Sequence, residues 1–240
     1  MGTYTVKLKD RRQVAEGTMA FFFDKPEGFE FSGGQSIDLT LIDPPQTDSE
    51  GNTRTFSLAS APQEPDLMVA TRMRDTAFKR VLRVLLPGSL VKIEGPFGFM
   101  TLPRKATRTV ALLAGGIGIT PFRSMLCQST RVNAGHRLFL FYSNRRPEDA
   151  AFLVELQALA NQYPDFTLVP TMTDLEKSKI VWNGTRGYIN REMLVTFVGD
   201  LAKPIYYIAG PPALVAGMRT MLQEAGVDDD DICTEDFSGY

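Results

Sequence analysis

"VALLAGGIGITPFRSML", Val110 to Leu126, reads as a buried strand that runs into glycines and then directly into a helix. Gly115, Gly116 and Gly118 sit at the junction, Thr120 is a candidate helix N-cap, and Pro121 suits the first helical position. Glycine lets a backbone approach a phosphate closely, and the amides of a helix N-terminus attract the anion. Pro121 stands where the third glycine of G-x-G-x-x-G would fall, so the match is partial. A tight strand-to-helix turn with no ligand would also want glycine. The strand before and the helix after argue for a pyrophosphate.

Toward the C-terminus the same rhythm repeats. "RLFLFYSN" precedes "EDAAFLVELQALANQ", and "FTLVPTMT", "NREMLVTFVGDLA", "IYYIAGPP" and "ALVAGMRTMLQEAG" follow. Such alternation predicts a doubly wound parallel sheet. A dinucleotide site of that type expects an acid at the end of the second strand to grip a ribose diol. This strand instead runs into Ser143, Asn144, Arg145 and Arg146, which would suit a 2′-phosphate. Glu148 and Asp149 nearby weigh against it, and a solvated loop is the alternative.

Toward the N-terminus the pattern changes. "TYTVKLKDRRQVA", "TMAFFFDKP", "QSIDLTLID", "RTFSLAS", "DLMVATRMR" and "SLVKIEGPFG" are six short β-type runs, and "DTAFKRVLRVLL" is the one helical piece among them. A small six-stranded antiparallel barrel is expected. The join is the polar segment "LPRKATR", which puts the boundary between residues 103 and 104.

Composition narrows the chemistry. Two cysteines, Cys127 and Cys233, cannot supply the thiolates of an iron–sulfur cluster or a cysteine-rich zinc site. His136 is the only histidine, so metal chemistry and histidine catalysis are disfavoured. A net charge of -2 implies no general nucleic-acid surface. The opening "MGTYTVKLKD" has no apolar signal core, and the longest apolar run is too short to span a bilayer, so a cytoplasmic location is expected. The acidic run Asp228 to Asp231 reads as a solvated turn.

"RTFSLAS", Arg54 to Ser60, puts Arg54 on one strand face with Phe56 and Leu58, so the guanidinium must snorkel out or meet an anion. Together with the glycine turn, this stretch resembles the ferredoxin–NADP reductase family of flavoproteins over essentially the whole chain. Arg54-Thr55-Phe56-Ser57 is similar to the family's R-x-Y-S, and Gly116-Ile117-Gly118-Ile119-Thr120-Pro121 to its G-x-G-I/V-x-P. Gly95-Pro96-Phe97-Gly98 and Ala209-Gly210-Pro211-Pro212, with Met218 beyond, match two further signatures.

The resemblance implies a reductase that takes hydride from NADPH or NADH onto FAD and passes electrons to a separate acceptor such as a ferredoxin. It implies Arg54 on the flavin pyrophosphate, Phe56 against the ring, Ser57 at the hydride-accepting atom, and Ala70, Thr71, Arg72 and Met73 along the flavin. Gly115, Gly116, Gly118, Ile119, Thr120, Pro121, Ser143, Arg145, Gly210 and Pro211 would serve the nicotinamide nucleotide. The family's G-x-x-S at the barrel helix is replaced by Thr76-Ala77-Phe78-Lys79, which leaves FMN possible; helix-start amides and Lys79 would hold the phosphates. By composition "ICTEDFSGY" would be a frayed tail. The resemblance instead brings Glu235 and Phe237, or Tyr240, to the flavin, and makes Ser57 and Glu235 the catalytic candidates. A ferric-chelate or free-flavin reductase and a non-autonomous electron-transfer subunit are the rival readings. In the basic stretch Arg72, Arg74, Lys79, Arg80 and Arg83 some residues would serve the flavin pyrophosphate, and the others form either a solvated helix face or a dock for an acidic carrier.

Overall fold

The computed structural model describes residues 2–103, 108–131 and 135–237. Tyr240 and most of the expected domain join lie outside them. The N-terminal strands are β1 (Gly2–Ala15), β2 (Thr18–Asp24), β3 (Ser36–Leu41), β4 (Thr53–Ser57), β5 (Asp66–Arg72) and β6 (Leu90–Phe97). They pair antiparallel in the order β4-β3-β6-β1-β2-β5. β1 can serve both halves of this sheet because register shifts after Leu8 and Gln13 bend it. The sheet closes where Leu58 bridges Val69 and the Ala59 amide donates to the Met68 carbonyl at 2.7 Å. Alternation turns Leu8, Phe21, Phe23, Ile37, Leu39 and Ile93 into the barrel.

Helix α1 (Ala77–Val84) plugs this barrel with Phe78, Val81 and Leu82, which share one helical face. It starts where it does because the Thr76 hydroxyl accepts from the Lys79 amide at 3.3 Å.

The second sheet is wholly parallel and contains β7 (Val110–Gly115), β8 (Leu138–Asn144), β9 (Phe166–Met172), β10 (Thr185–Arg186), β11 (Ile205–Gly210) and β12 (Ile232–Asp236). Its order is β10-β9-β8-β7-β11-β12. Every residue of β7 and β8 is buried, as strands covered on both faces require. Helices α2 (Ile119–Arg131), α3 (Leu153–Gln162), α4 (Arg191–Val198) and α5 (Pro212–Glu224) provide the cover.

Four local expectations change. Thr120 is not an N-cap: a single 3₁₀ turn, Gly116–Gly118, leads straight into α2, and the Thr120 hydroxyl donates back to the Ile117 carbonyl at 3.1 Å. The C-terminal stretch is not a frayed tail, because Ile232 to Asp236 adds a parallel edge strand to β11. The two-residue β10, absent from the sequence reading, extends the other edge. The acidic run forms a 3₁₀ turn that is more than solvated, since Asp231 binds Arg108 at 2.6 Å and Asp229 binds Arg219 at 3.3 Å.

His136 is buried and structural, its Nε2 lying 2.9 Å from the Pro103 carbonyl oxygen and its Nδ1 3.3 Å from Ser129 Oγ. Both cysteines are thiols without a disulfide.

Candidate active site

The C-terminal end of β4, the end of β5, the start of α1, the glycine turn and β12 converge on one cleft of about 580 Å³. Ser57 is its centre. Register with Ser36 ends β4 there, and only 3% of Ser57 is accessible. Its hydroxyl donates to Glu235 Oε1 at 3.3 Å, across 178 residues of chain. Glu235 reaches this point because β12 lies alongside β11, with Glu235 opposite Ala209. Burial raises the Glu235 pKa, and the neighbouring Asp236 adds to that, while the Ser57 hydrogen bond opposes it.

A raised carboxyl pKa means that the folded protein holds this proton more tightly than the unfolded chain does. The cost to stability is therefore absent below the ordinary carboxyl range and grows as pH rises through the folded value. Glu235→Gln is expected to raise Tm at pH 8 by more than at pH 4. A Tm gain equal at both pH values would remove the burial argument.

The opposite end of the cleft is cationic. Arg54, Arg72, Arg74 and Lys79 line it, with Glu50 as the acidic neighbour on the lining. Arg54 answers its own sequence question: its Nη2 pairs with Asp48 at 3.1 Å and Glu50 at 2.8 Å, and its guanidinium lies 5.2 Å over the Phe78 ring. Nη1 donates to the carbonyls of Glu50, Gly51 and Thr53 at 2.9, 3.1 and 2.7 Å. Lys79 has its pKa lowered by burial and by the charges of Arg74 and Arg54. This wall carries more cation than its own carboxylates balance. Phe56 stands between the two ends, half-buried, its ring 5.9 Å from that of Phe78.

Thr55, Ala70, Thr71 and Phe237 also line the cleft, as does Thr120. Met73, Ala77 and Phe78 do not: Met73 and Phe78 pack into the barrel core, and the Ala77 amide already donates to Asp48 at 3.1 Å. With the Lys79 amide taken by Thr76, two helix-start amides expected on a phosphate are used within the protein. Arg74, singled out only as part of the basic stretch, joins the lining, and so do Glu50, Thr76, Ile117 and Asp236, which were missed. Ile117 had a signal, its place between two glycines of the turn.

The remaining nucleotide candidates lie along the C-terminal edge of the parallel sheet, outside the cleft lining. Gly116 has φ 52, a conformation that favours glycine. Gly118 answers to packing, since a Cβ there would come within 2.2 Å of the Ala209 carbonyl oxygen. Gly115 and Gly210 approach each other in the same way, with 3.0 Å between the Gly115 amide nitrogen and a Cβ built on Gly210. Ile119 and Pro121 are buried in α2. Ser143 is buried at the end of β8, Arg145 is exposed beyond it, and Pro211 precedes α5. Arg146 turns away to Asp149 at 2.8 Å and Glu16 at 3.3 Å. Both side-chain polar atoms of Asn144 are buried without a protein partner. Among the described residues no cluster of three or more metal-ligating side chains occurs.

Comparison with known proteins agrees with this architecture. Residues 112–220 match the oxidoreductase NAD-binding domain family. The chain is 30% identical over 214 residues to a glycine betaine monooxygenase reductase subunit of Chromohalobacter salexigens, covering 88% of this chain and 57% of that one. It is 27% identical over 206 residues to one subunit of the Na(+)-translocating NADH-quinone reductase of Klebsiella pneumoniae, covering 79% and 50%. It thus spans about half the length of these relatives. A ferredoxin NADP+ reductase of Neisseria gonorrhoeae, solved with bound FAD and NADP, superposes with a TM-score of 0.79 at 20% identity, covering 98% of each chain. The flavohem-like FAD/NAD-binding domain of a Vibrio cholerae nitric oxide dioxygenase gives 0.81 at 17% identity, covering 97% and 98%.

Proposed function

Because the chain belongs to the ferredoxin–NADP reductase-like family of FAD/NAD(P)-binding oxidoreductases, we propose that it moves electrons from NADPH or NADH, through FAD held in the cleft, to a separate acceptor. The observation that carries this is the Ser57–Glu235 contact beside Phe56, facing a cationic wall across one cleft. The residues fit the cofactor: Arg72, Arg74 and Lys79 answer a pyrophosphate, and a polyanion there would offset both the burial of the Lys79 ammonium and its repulsion by Arg74 and Arg54, which together lower its pKa. Phe56 offers an aromatic face. FAD supplies the hydride-accepting chemistry when bound. The Ser57 hydroxyl, which donates to Glu235, would face the reacting edge, and Glu235, its pKa raised by burial, is the acid–base group within reach of that hydroxyl. Arg54 braces the wall through Asp48 and Glu50.

The barrel, residues 1–103, is taken to hold the flavin, and residues 104–240 the nicotinamide nucleotide. Gly116, Ser143 and Arg145 line the route we assign to that nucleotide, and the unpartnered Asn144 amide adds polar capacity there. Only Arg145 is left for a 2′-phosphate, since Arg146 is committed to Asp149 and Glu16. Arg145→Glu is expected to raise the KM for NADPH about tenfold through loss of a charge-assisted contact and to leave that for NADH nearly unchanged. Equal effects on both nucleotides would assign Arg145 to solvent.

The acceptor is proposed to be a small redox protein such as a ferredoxin. The basic stretch supports such a dock less than its charge count suggests, because Arg80 is bound to Asp75 and Gln46 and Arg83 to the Met73 carbonyl. Relatives named as subunits keep open the reading in which this chain works within a larger assembly. No helix among the described residues is long and apolar enough to cross a membrane.

The test is direct. Purified protein should be yellow, or become so on adding FAD, bleach anaerobically with NADPH or NADH, and turn over with one of ferredoxin, cytochrome c, ferric chelate or free flavin. Protein that binds neither FAD nor FMN would end the proposal.

A further inference from the structure

We infer that Arg123 is a positioning residue, locking α2 to the strand exit behind Ser57 and so setting the distance across which hydride passes. The inference rests on the reductase reading above. Arg123 lies in the second turn of α2, the helix that grows out of the cleft-lining turn at Ile117. Its side chain is 7% accessible, yet it crosses to the barrel. Nη1 donates to the Ala59 carbonyl at 2.6 Å and to Glu64 at 3.0 Å, and Nη2 donates to Glu64 at 3.1 Å. Nε and Nη2 donate to Glu155 of α3 at 3.0 and 2.6 Å. These contacts occupy all five guanidinium donors.

Neighbouring groups tighten the same seam. Ser124 Oγ donates to the Ser60 carbonyl at 2.5 Å. The Gly33 amide donates to Gln128 at 2.7 Å, and the Glu16 amide to the Glu148 carbonyl at 2.8 Å. Phe152, held at φ 61, lies 5.2 Å from the Arg123 guanidinium and packs on the barrel cluster of Ala20, Ala59, Met68 and Ala70. Ala59 is two residues past Ser57, so one turn of α2 grips the chain beside the reacting hydroxyl. A buried ion pair often adds little net stability but does demand one geometry. Of the two carboxylates, Glu64 answers from the barrel, together with the Ala59 carbonyl, and Glu155 answers from helix α3 on Arg123's own side, so only the Glu64 ion pair spans the seam.

This division makes the test. Arg123→Gln is expected to keep FAD content and FAD Kd unchanged. It should slow flavin reduction at saturating NADPH by about 10- to 100-fold, the scale that a misplacement of about 1 Å can reach. Amide exchange at Gly33 and Glu16, whose bonds cross the seam, should accelerate in parallel. Glu64→Gln should move both readouts the same way, whereas Glu155→Gln should leave both near wild type. Arg123→Lys, which keeps charge but not the fork, should fall between, and with Glu64→Gln it carries the test if Arg123→Gln does not fold. Equal slowing by Glu64→Gln and Glu155→Gln, or faster exchange with an unchanged reduction rate, would overturn the inference. Failure of the reductase reading shows elsewhere, in wild-type protein that no nicotinamide nucleotide reduces.

Discussion

Ser57→Ala is expected to retain flavin and to slow its reduction by NADPH about 100-fold, the usual scale for removing an oriented donor from a reacting edge. The hydroxyl sits where β4 ends, 3% accessible, and donates to Glu235 Oε1 across 3.3 Å. Removing Oγ deletes the donor, and it also leaves Glu235 without the hydrogen bond that restrains its pKa, so the carboxyl should titrate higher still. Two readouts follow. Stopped-flow reduction at saturating nucleotide should slow, and the pH dependence of the residual rate should move to higher pH. Ser57→Thr, which keeps the oxygen, should recover much of the rate. A Ser57→Ala enzyme reduced as fast as wild type would strip Ser57 of the assigned role, whatever its flavin content.

The second large effect is on binding. Arg54→Ala should weaken FAD about 30-fold, from loss of roughly 2 kcal/mol of charged hydrogen bonding. Much of that loss is indirect. Arg54 neutralises Asp48 and Glu50, and Asp48 in turn accepts from the Ala77 amide where α1 begins. Without the guanidinium, two carboxylates stand unbalanced at the cationic wall, repelling the pyrophosphate, and the loop from Asp48 to Gly51 loses its tether. Arg54→Lys should recover only part of the affinity, since one ammonium cannot reach three carbonyls and two carboxylates. Titration of flavin-free protein with FAD by fluorescence decides this. An unchanged Kd in Arg54→Ala would confine Arg54 to bracing the loop, with no part in the cofactor site.

What could be read without coordinates was what is local. Apolar alternation marked the six barrel strands, the strand–glycine–helix junction at Val110 to Leu126 marked the parallel sheet, and an arginine on an apolar strand face marked Arg54 as needing an anion. Each depends on residues within a few positions of one another, where backbone sterics and period-2 or period-3.6 patterning leave a signature. Partners brought together by sheet order leave none. That Glu235 meets Ser57 follows from β12 taking the edge beside β11, and no pattern in "ICTEDF" distinguishes an edge strand from a loose end. The glycine pattern pointed to a phosphate at Gly118, but not to the close approach of the Ala209 carbonyl that also requires glycine there, a contact created only when the 3₁₀ turn packs on β11. The anions that Arg54 needed are Asp48 and Glu50, in the loop read as turn formers. Arg123, in the middle of the stretch that decided the fold, passed as an ordinary helical residue. Three of its five donors find partners only after α2 docks against the barrel, because burial of a charge is decided by what packs over it.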